Sequence, residues 1–163
     1  MRVEKRRRRE SKTDYRLRIE LLKSNKPRIV FRKTNRYVIG QCIESENAQD
    51  ITRVGITSKE LLMYGWPKEN LGSLKSMPAC YLTGFLLGKK ILKKGKQECI
   101  LDIGMIRSIK KSRVYAFLKG VVDSGVKMNV EKEVFPDEKR IKGEHTKVKN
   151  IFEKVKESIK HEA

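Results

Sequence analysis

Four consecutive arginines, Arg6, Arg7, Arg8 and Arg9, with Lys12 close behind, set a row of cationic groups near the start of the chain. A guanidinium is permanently charged and planar, and its fork of donors grips phosphate oxygens in pairs or lies flat on a base. Two further clusters repeat the theme. One runs from Arg28 through Arg32, Lys33 and Arg36, with Thr34, Asn35 and Tyr37 between them; the other is Arg107, Lys110, Lys111 and Arg113, with Ser112 inside it. Asn35 can bond a base edge and Tyr37 can stack, which suits unpaired or distorted RNA better than a regular duplex major groove. Tyr15 and Arg16 behind the arginine row, and Arg140 and Lys142 near the C-terminus, complete the candidate contacts. The competing reading of each is an ordinary solvated cation; their clustering where chain segments turn favours binding, because recognition is usually mounted on loops. The arginine row could equally serve as a nuclear import address, since the two uses need the same residues.

Bond-making chemistry has weaker support. The best acid is Asp102, at the end of an apolar run, with Asp123, Asp137, Glu138 or Glu144 as partners round a metal for phosphodiester cleavage. Those carboxylates lie among lysines and arginines that would pair with them, so Asp102 is expected instead to orient the basic loop that follows. Cys42, Cys80 and Cys99 are odd in number, widely spaced and set in apolar runs, and read as small buried hydrophobes in a reducing compartment. With only His145 and His161 to help, a zinc site would need scattered ligands. No Ser/His/Asp set, phosphate-cradling loop or dinucleotide fingerprint is present. Trp66 is expected to anchor its loop to the core. No metal, no cofactor and no enzymatic activity are expected.

The whole composition points to the same partner. The 163 residues carry 39 Lys plus Arg against 20 Asp plus Glu, a net charge of +19 that opposes compaction unless a polyanion neutralises it. A hydrophobic fraction of 38% suffices for one domain with a core, whereas 36% charged residues and a mean hydropathy of −0.60 imply an ionic surface and flanking tails. No apolar run approaches the roughly 20 residues that cross a bilayer, so a soluble intracellular protein with no membrane partner is expected. No homo-oligomer is expected either.

These residues need elements to position them. Residues 1–12 carry seven basic side chains and almost nothing apolar, and are expected to be a mobile arm that orders on its partner. Thr13 or Asp14 caps a helix running to Lys26-Pro27, with Tyr15, Leu17, Ile19, Leu21 and Leu22 making apolar contacts. Runs 28–32 and 36–43 form a hairpin round Lys33-Thr34-Asn35, and 51–57 adds a third strand after a polar stretch, 44–50. A short helix, 59–63, and a loop, 68–76, lead to a long buried helix, 79–94, whose Gly84 and Gly88 suit close packing on a sheet. Run 98–104 reads as a strand reached by a parallel crossover, followed by a basic loop, 105–111, and a helix, 113–124, capped by Ser112. Residues 126–146 look polar and irregular, and Val148, Ile151, Phe152, Val155 and Ile159 give a last helix, 147–160, one docking face. The fold class is α/β, of mixed α+β type: a mixed sheet of a three-strand meander plus a β-α-β crossover, flanked by helices. The organisation is an arm (1–12), a globular domain (13–146) and a C-terminal segment (147–163).

Five strings, in this order, resemble the large-subunit ribosomal protein L-eighteen family in its archaeal and eukaryotic form. They are Arg6-Arg7-Arg8-Arg9-Glu10 with Lys12-Thr13-Asp14-Tyr15; Arg28-Ile29-Val30-Phe31-Arg32-Lys33-Thr34-Asn35; Pro78-Ala79-Cys80-Tyr81-Leu82-Thr83-Gly84; Ile100-Leu101-Asp102-Ile103-Gly104; and Phe135-Pro136-Asp137-Glu138 before Arg140-Ile141-Lys142-Gly143-Glu144-His145. The resemblance implies a structural protein of the cytoplasmic ribosome that binds 5S rRNA and joins it to the large-subunit rRNA, beside neighbouring large-subunit proteins of the central protuberance. It implies that the arm, Arg6 to Lys12, penetrates between RNA elements, and that Arg32 to Tyr37 and Arg107 to Arg113 meet 5S rRNA. The chain departs from the pattern in its post-strand loop, where Ile106 and Ile109 are more apolar than a phosphate-binding loop requires.

Overall fold

A computed structural model describes residues 3–47, 49–95, 98–144, 146 and 149–162. Its centre is a four-stranded sheet in the order β3-β2-β1-β4: β1 (Arg28–Lys33), β2 (Val38–Glu46), β3 (Gln49–Thr57) and β4 (Ile100–Asp102). β1 pairs antiparallel with β2, and β2 with β3, while β4 joins β1 in parallel with Val30 opposite Asp102. The expected meander and crossover are thus both present. Alternation explains which face is covered: Ile29 and Phe31 of β1, Val38 and Cys42 of β2, and Val54 and Ile56 of β3 all join one core.

Two helices cover that face, α3 (Met77–Lys93) and α4 (Arg113–Asp123). Ser76 caps α3 by accepting from the Ala79 amide, and Pro78 sits in its first turn, where no amide donor is needed. The helices touch through glycine, which corrects the expectation that Gly84 and Gly88 pack on the sheet. A Cβ on Gly84 would lie 2.0 Å from the Phe117 carbonyl oxygen, one on Gly88 1.9 Å from Ser124 Oγ, and one on Gly120 2.1 Å from the Tyr81 carbonyl oxygen. The backbones therefore approach as closely as glycine permits, and dispersion between them replaces side-chain interdigitation. Phe117, held in place by this packing, reaches the sheet and meets Phe31 with ring centroids 5.1 Å apart.

Several boundaries differ from the sequence reading. The polar stretch 44–50 is largely strand: Ser45 faces Asp50 and Glu46 faces Gln49, beyond an irregularity at Cys42/Ile43. Residues 45–47 and 49–50 at this end are exposed, so polar types suit them. The turn at 33–35 is one step later, closed by the Thr34 amide donating to the Tyr37 carbonyl at 2.9 Å, and Tyr37 stands in the loop, outside the strand. Residues 68–76 contain a short 3-10 stretch, Lys68–Ser73, and β4 is only three residues long. The region expected to be irregular contains α5 (Glu138–Lys142), which buries Ile141 and ends on Gly143 at φ 70°. Trp66 is buried and donates to the Asn70 carbonyl at 3.3 Å, an anchor as expected.

The arginine row, α1 (Arg6–Arg9), makes one helical turn and buries nothing, where the sequence predicts an arm without structure of its own. In α2 (Tyr15–Lys23) Asp14 is the cap, accepting from the Arg16 and Leu17 amides at 2.9 and 3.2 Å. This helix ends earlier than Lys26-Pro27 and buries no residue completely; Ile19 is 54% exposed. The last helix, α6 (Lys149–Glu162), buries Phe152, Val155 and Ile159, and the Phe152 ring lies 5.4 Å from that of Tyr81 in α3. Its apolar face is thus filled by the protein's own body. Lys147 and Val148, where the helix is expected to begin, and His145 lie outside the described residues.

Gly84→Ala is expected to destabilise the fold by at least about 2 kcal/mol, despite the roughly 1 kcal/mol that alanine gains in helix propensity, because the atom it meets is backbone. The urea unfolding midpoint measures this; a midpoint at or above wild type contradicts the packing described.

Candidate nucleic-acid interface

The candidate cations divide into two populations, and the division begins at Arg28. Alternation turns Arg28 away from the helices, yet it is only 3% exposed. Its guanidinium meets Asp102 Oδ2 at 3.1 Å, Asp50 Oδ1 at 2.6 Å and Ser45 Oγ at 3.0 Å. Arg18 of α2 reaches the other Asp50 oxygen at 2.8 Å. Arg32 donates to the Phe31 and Asp102 carbonyls at 2.7 and 3.0 Å and to Asp102 Oδ1 at 3.1 Å, while the Gly104 amide donates to that same oxygen at 2.9 Å. Gly104 turns the chain at φ 61°, close under the Arg32 guanidinium. Arg28 is therefore a structural cation turned from solvent. Asp102 orients the loop after β4, as its position suggests.

Most of the carboxylates considered for a nuclease site have partners of their own. Both Asp102 oxygens are held by arginines, Asp123 accepts from Tyr81 at 2.8 Å, Asp137 pairs with Lys111 at 3.3 Å, and Glu138 with Lys119 at 3.9 Å. Among the described residues no group of three His, Cys, Asp or Glu side chains could hold a metal. The three thiols are buried, and burial pushes the Cys80 thiol up to about 12, so it is not a nucleophile. Among the described residues no helix is long and apolar enough to cross a membrane.

The second population faces solvent. At the β1–β2 turn Lys33, Asn35 and Arg36 are exposed, Thr34 is half-buried and engaged in the turn, and Lys59 sits over the Tyr37 ring at 4.6 Å, covering one stacking face. Lys75, which the sequence reading did not single out, donates to the Asn35 carbonyl at 2.8 Å; a bond across 40 residues leaves no local signal. Beside this turn the loop after β4 and the start of α4 border an open cavity of about 720 Å³. Lys33, Arg107, Lys110, Lys111, Arg113 and Arg140 stand round it, and Phe31, Met77, Ile106, Ile109 and Val114 supply its apolar wall. Ser112 occupies the N-cap position of α4 but makes no capping bond, contrary to expectation, and its buried Oγ has no protein partner.

The arm returns to the same end of the sheet. Arg7 Nε donates to Thr13 Oγ1 at 2.8 Å, and Arg7 and Lys12 line a small cavity with Arg32, Asp102, Gly104 and Met105. Lys12 pairs with Glu10 at 2.7 Å, Arg6 lies 3.8 Å from Glu10, Arg8 3.6 Å from Glu4 and Arg16 3.5 Å from Glu20, all in exposed pairs that water and salt weaken. Lys5 covers the Tyr15 ring at 4.6 Å. No carboxylate among the described residues lies within 4 Å of Arg7, Arg9, Lys33, Arg36, Arg107, Lys110, Arg113 or Arg140. Lys142 is not part of this surface: it lines a separate cavity with Tyr81, Asp123 and Lys156. Arm, turn and post-strand loop therefore present several cations without counter-charges near the carboxyl ends of β1 and β4, a charge pattern complementary to a phosphate polymer.

A family model described as ribosomal large subunit proteins 60S L5 and 50S L18 matches residues 1–98. The large ribosomal subunit protein uL18 of Korarchaeum cryptofilum (strain OPF8) is 49% identical over 155 residues, 95% of this chain and 76% of that protein. The protein of the same name from Methanothrix thermoacetophila is 50% identical over 143 residues, 88% of this chain and 82% of that one. That from Methanothermobacter thermautotrophicus is 46% identical over 140 residues, 86% and 71% of the two chains.

Two stability measurements separate the two cation populations. Arg28→Ala leaves Asp102 and Asp50 without their buried counter-charge and is expected to cost about 3–5 kcal/mol, whereas exposed Arg36→Ala should stay within about 0.5 kcal/mol of wild type. Equal effects in urea unfolding contradict the assignment. Burial by itself would raise the Asp50 carboxyl, but hydrogen bonds from Ser45 and Arg28, with the Arg28 charge, outweigh it and hold the group below its usual range. A depressed carboxyl stabilises the fold above its unfolded-state pKa of about 3.9 and ceases to as pH falls through its folded value. Stability should thus fall below about pH 4, less steeply in Asp50→Asn, as acid titration followed by circular dichroism will show.

Proposed function

The chain belongs to the uL18 family of large ribosomal subunit proteins, and we propose that within the subunit it binds 5S rRNA and attaches it to the large rRNA in the central protuberance. Membership makes it a structural protein of the ribosome with rRNA as its partner, not an enzyme. The observation that best supports the finer reading is the gathering of unpaired cations from three distant chain segments at one end of the sheet. A general polyanion binder needs charge alone. Here the charge is carried on a rigid corner, with the loop after β4 fixed by the Asp102 bonds, so a particular RNA shape can be told from another.

In this reading the arm supplies affinity through phosphate neutralisation, and the turn and post-strand loop supply discrimination. Arg6 to Lys12 would enter between RNA elements; Arg36, Asn35, Arg107, Lys110 and Arg113 would meet the 5S rRNA. Arg28 acts indirectly, by holding the corner. Arg32, with its donors turned inward, positions the loop more than it grips RNA. Neighbouring proteins of the protuberance would meet the surfaces that remain.

The test is a titration of purified protein against 5S rRNA and a decoy RNA of the same length. Tighter binding to 5S rRNA near physiological salt is expected, and equal binding overturns the proposal. Deleting residues 1–12, whose helical turn buries nothing, should weaken binding and flatten the plot of log K against log salt. The slope should change by about 2 units or more, at roughly 0.7–0.9 for each phosphate that the arm neutralises. An unchanged slope removes the arm from the RNA.

A further inference from the structure

Phosphate neutralisation leaves the apolar half of the loop after β4 unexplained. Cations on a flat surface would serve a sugar-phosphate backbone, but here they ring a hole of about 720 Å³, within the range of about 300–1,000 Å³ typical of small-molecule sites. Ile106 and Ile109 are the two residues that make this loop unusually apolar, and both turn out to line the hole. Ile109 is 56% exposed in the free protein and continues an apolar wall with Ile106 and Met77, and it is such a contiguous patch, rather than one exposed side chain, that marks a place for a partner. Phe31, Met77 and Val114 continue the wall inward.

The polar groups of the hole are as telling. α4 is an 11-residue helix whose first turn receives no side-chain cap, so its leading amides and partial positive charge remain available. The Ser112 Oγ is shielded from solvent without a protein partner, an arrangement that carries a cost until a donor or acceptor arrives. Lys111 adopts φ 58°, a conformation a lysine seldom takes, and its amide is tied to the Val134 carbonyl at 2.9 Å, which fixes the backbone where the loop meets α4.

We propose that this cavity receives one unstacked nucleobase of the bound RNA, its flat faces against Ile106, Ile109 and Met77, with the adjoining phosphate at Ser112 and the α4 N-terminus. A base is the one unit of the polymer that is flat and apolar on its faces, polar at its edge and joined to an anion, and the cavity offers a counterpart to each. An apolar side chain from a neighbouring protein would fill the wall but leave Lys33, Arg107, Lys110, Arg113 and Arg140 unanswered. The inference rests on the RNA-binding reading above and adds where base recognition occurs.

The experiment uses the full chain, an archaeal 5S rRNA transcript and three proteins: wild type, Ile109→Ser, and Arg107→Gln with Lys110→Gln. Because Ile109 is already exposed, Ile109→Ser should fold with wild-type stability. Insertion of a base predicts that Ile109→Ser weakens binding roughly tenfold with the salt slope unchanged, while the charge variant both weakens binding and flattens the slope. Ultraviolet cross-linking of the wild-type complex should join a nucleotide to a peptide spanning residues 105–114, and Ile109→Ser should lose that product. Wild-type affinity in Ile109→Ser, or cross-links confined to other peptides, overturns the pocket while leaving 5S binding intact. Failure of wild type itself to bind the transcript overturns the functional reading and this inference with it.

Discussion

The buried guanidinium of Arg28 is the interaction on which the rest of the molecule depends. It joins Asp102 of β4 to Asp50 and Ser45 of the β2–β3 hairpin, across the strand to which it belongs. Three residues of parallel strand form a weak ladder by themselves, and β4 is no longer than that. The ion pairs hold its end in place, and through Arg32 and the Gly104 amide they also fix the direction in which the chain leaves it. A buried pair of this kind contributes little net stability compared with well-packed apolar residues, because desolvation consumes most of the Coulomb gain. Its value lies in geometry: a lysine could not serve three oxygen acceptors in one plane, whereas the arginine fork can.

From that corner follows the separation of charge into structural and available cations. A net charge of +19 opposes compaction, and the fold deals with this by keeping its carboxylates close to the cations it needs internally. Asp50, Asp102 and Asp123 are engaged within the body. Among the cations left over, those of the turn and the loop after β4 gather at the opposite end of β1 from the polar β2–β3 tip. Asp102 stands at that same end but is taken up by Arg28 and Arg32, so it anchors the corner without cancelling the cations round it.

Much of this was legible in the residues. Asp14, offered with Thr13 as a cap, Pro78 near a helix start, the β-rich runs of β1 and β2, and the apolar face of α6 all rest on local chemistry, and each element formed near its pattern, with boundaries shifted by a few residues. The site was half legible. Cations could be found by type, but whether a given arginine faces the partner depends on which carboxylate meets it in space. Arg28 and Arg36 look alike in sequence, yet one is 3% exposed and the other lies on the surface, because Asp102 is 74 residues away from the first. Gly84 and Gly88 likewise announce close packing, which the sequence suggests is on the sheet; only the fold shows that the partner is the other helix, with Gly120 on its facing side.

In the proposed reading, the loop after β4 builds affinity and specificity from different residues in one short segment. Affinity for a phosphate polymer is a long-range property, shared among many cations and diluted by salt, so the loss of any one of them matters little. Discrimination requires short-range fit, and a fit requires that the cavity not collapse on itself when empty. The close glycine packing between α3 and α4 prevents that collapse. By bringing two helix backbones together it fixes the start of α4 relative to Met77, and so fixes two walls of the cavity independently of its contents. Were α3 and α4 separated by ordinary side chains, rotamer changes could close the space between Met77 and Val114 and bury the apolar wall against itself. Close helix packing in the core and an open, cation-ringed hole at the surface are therefore two consequences of one arrangement.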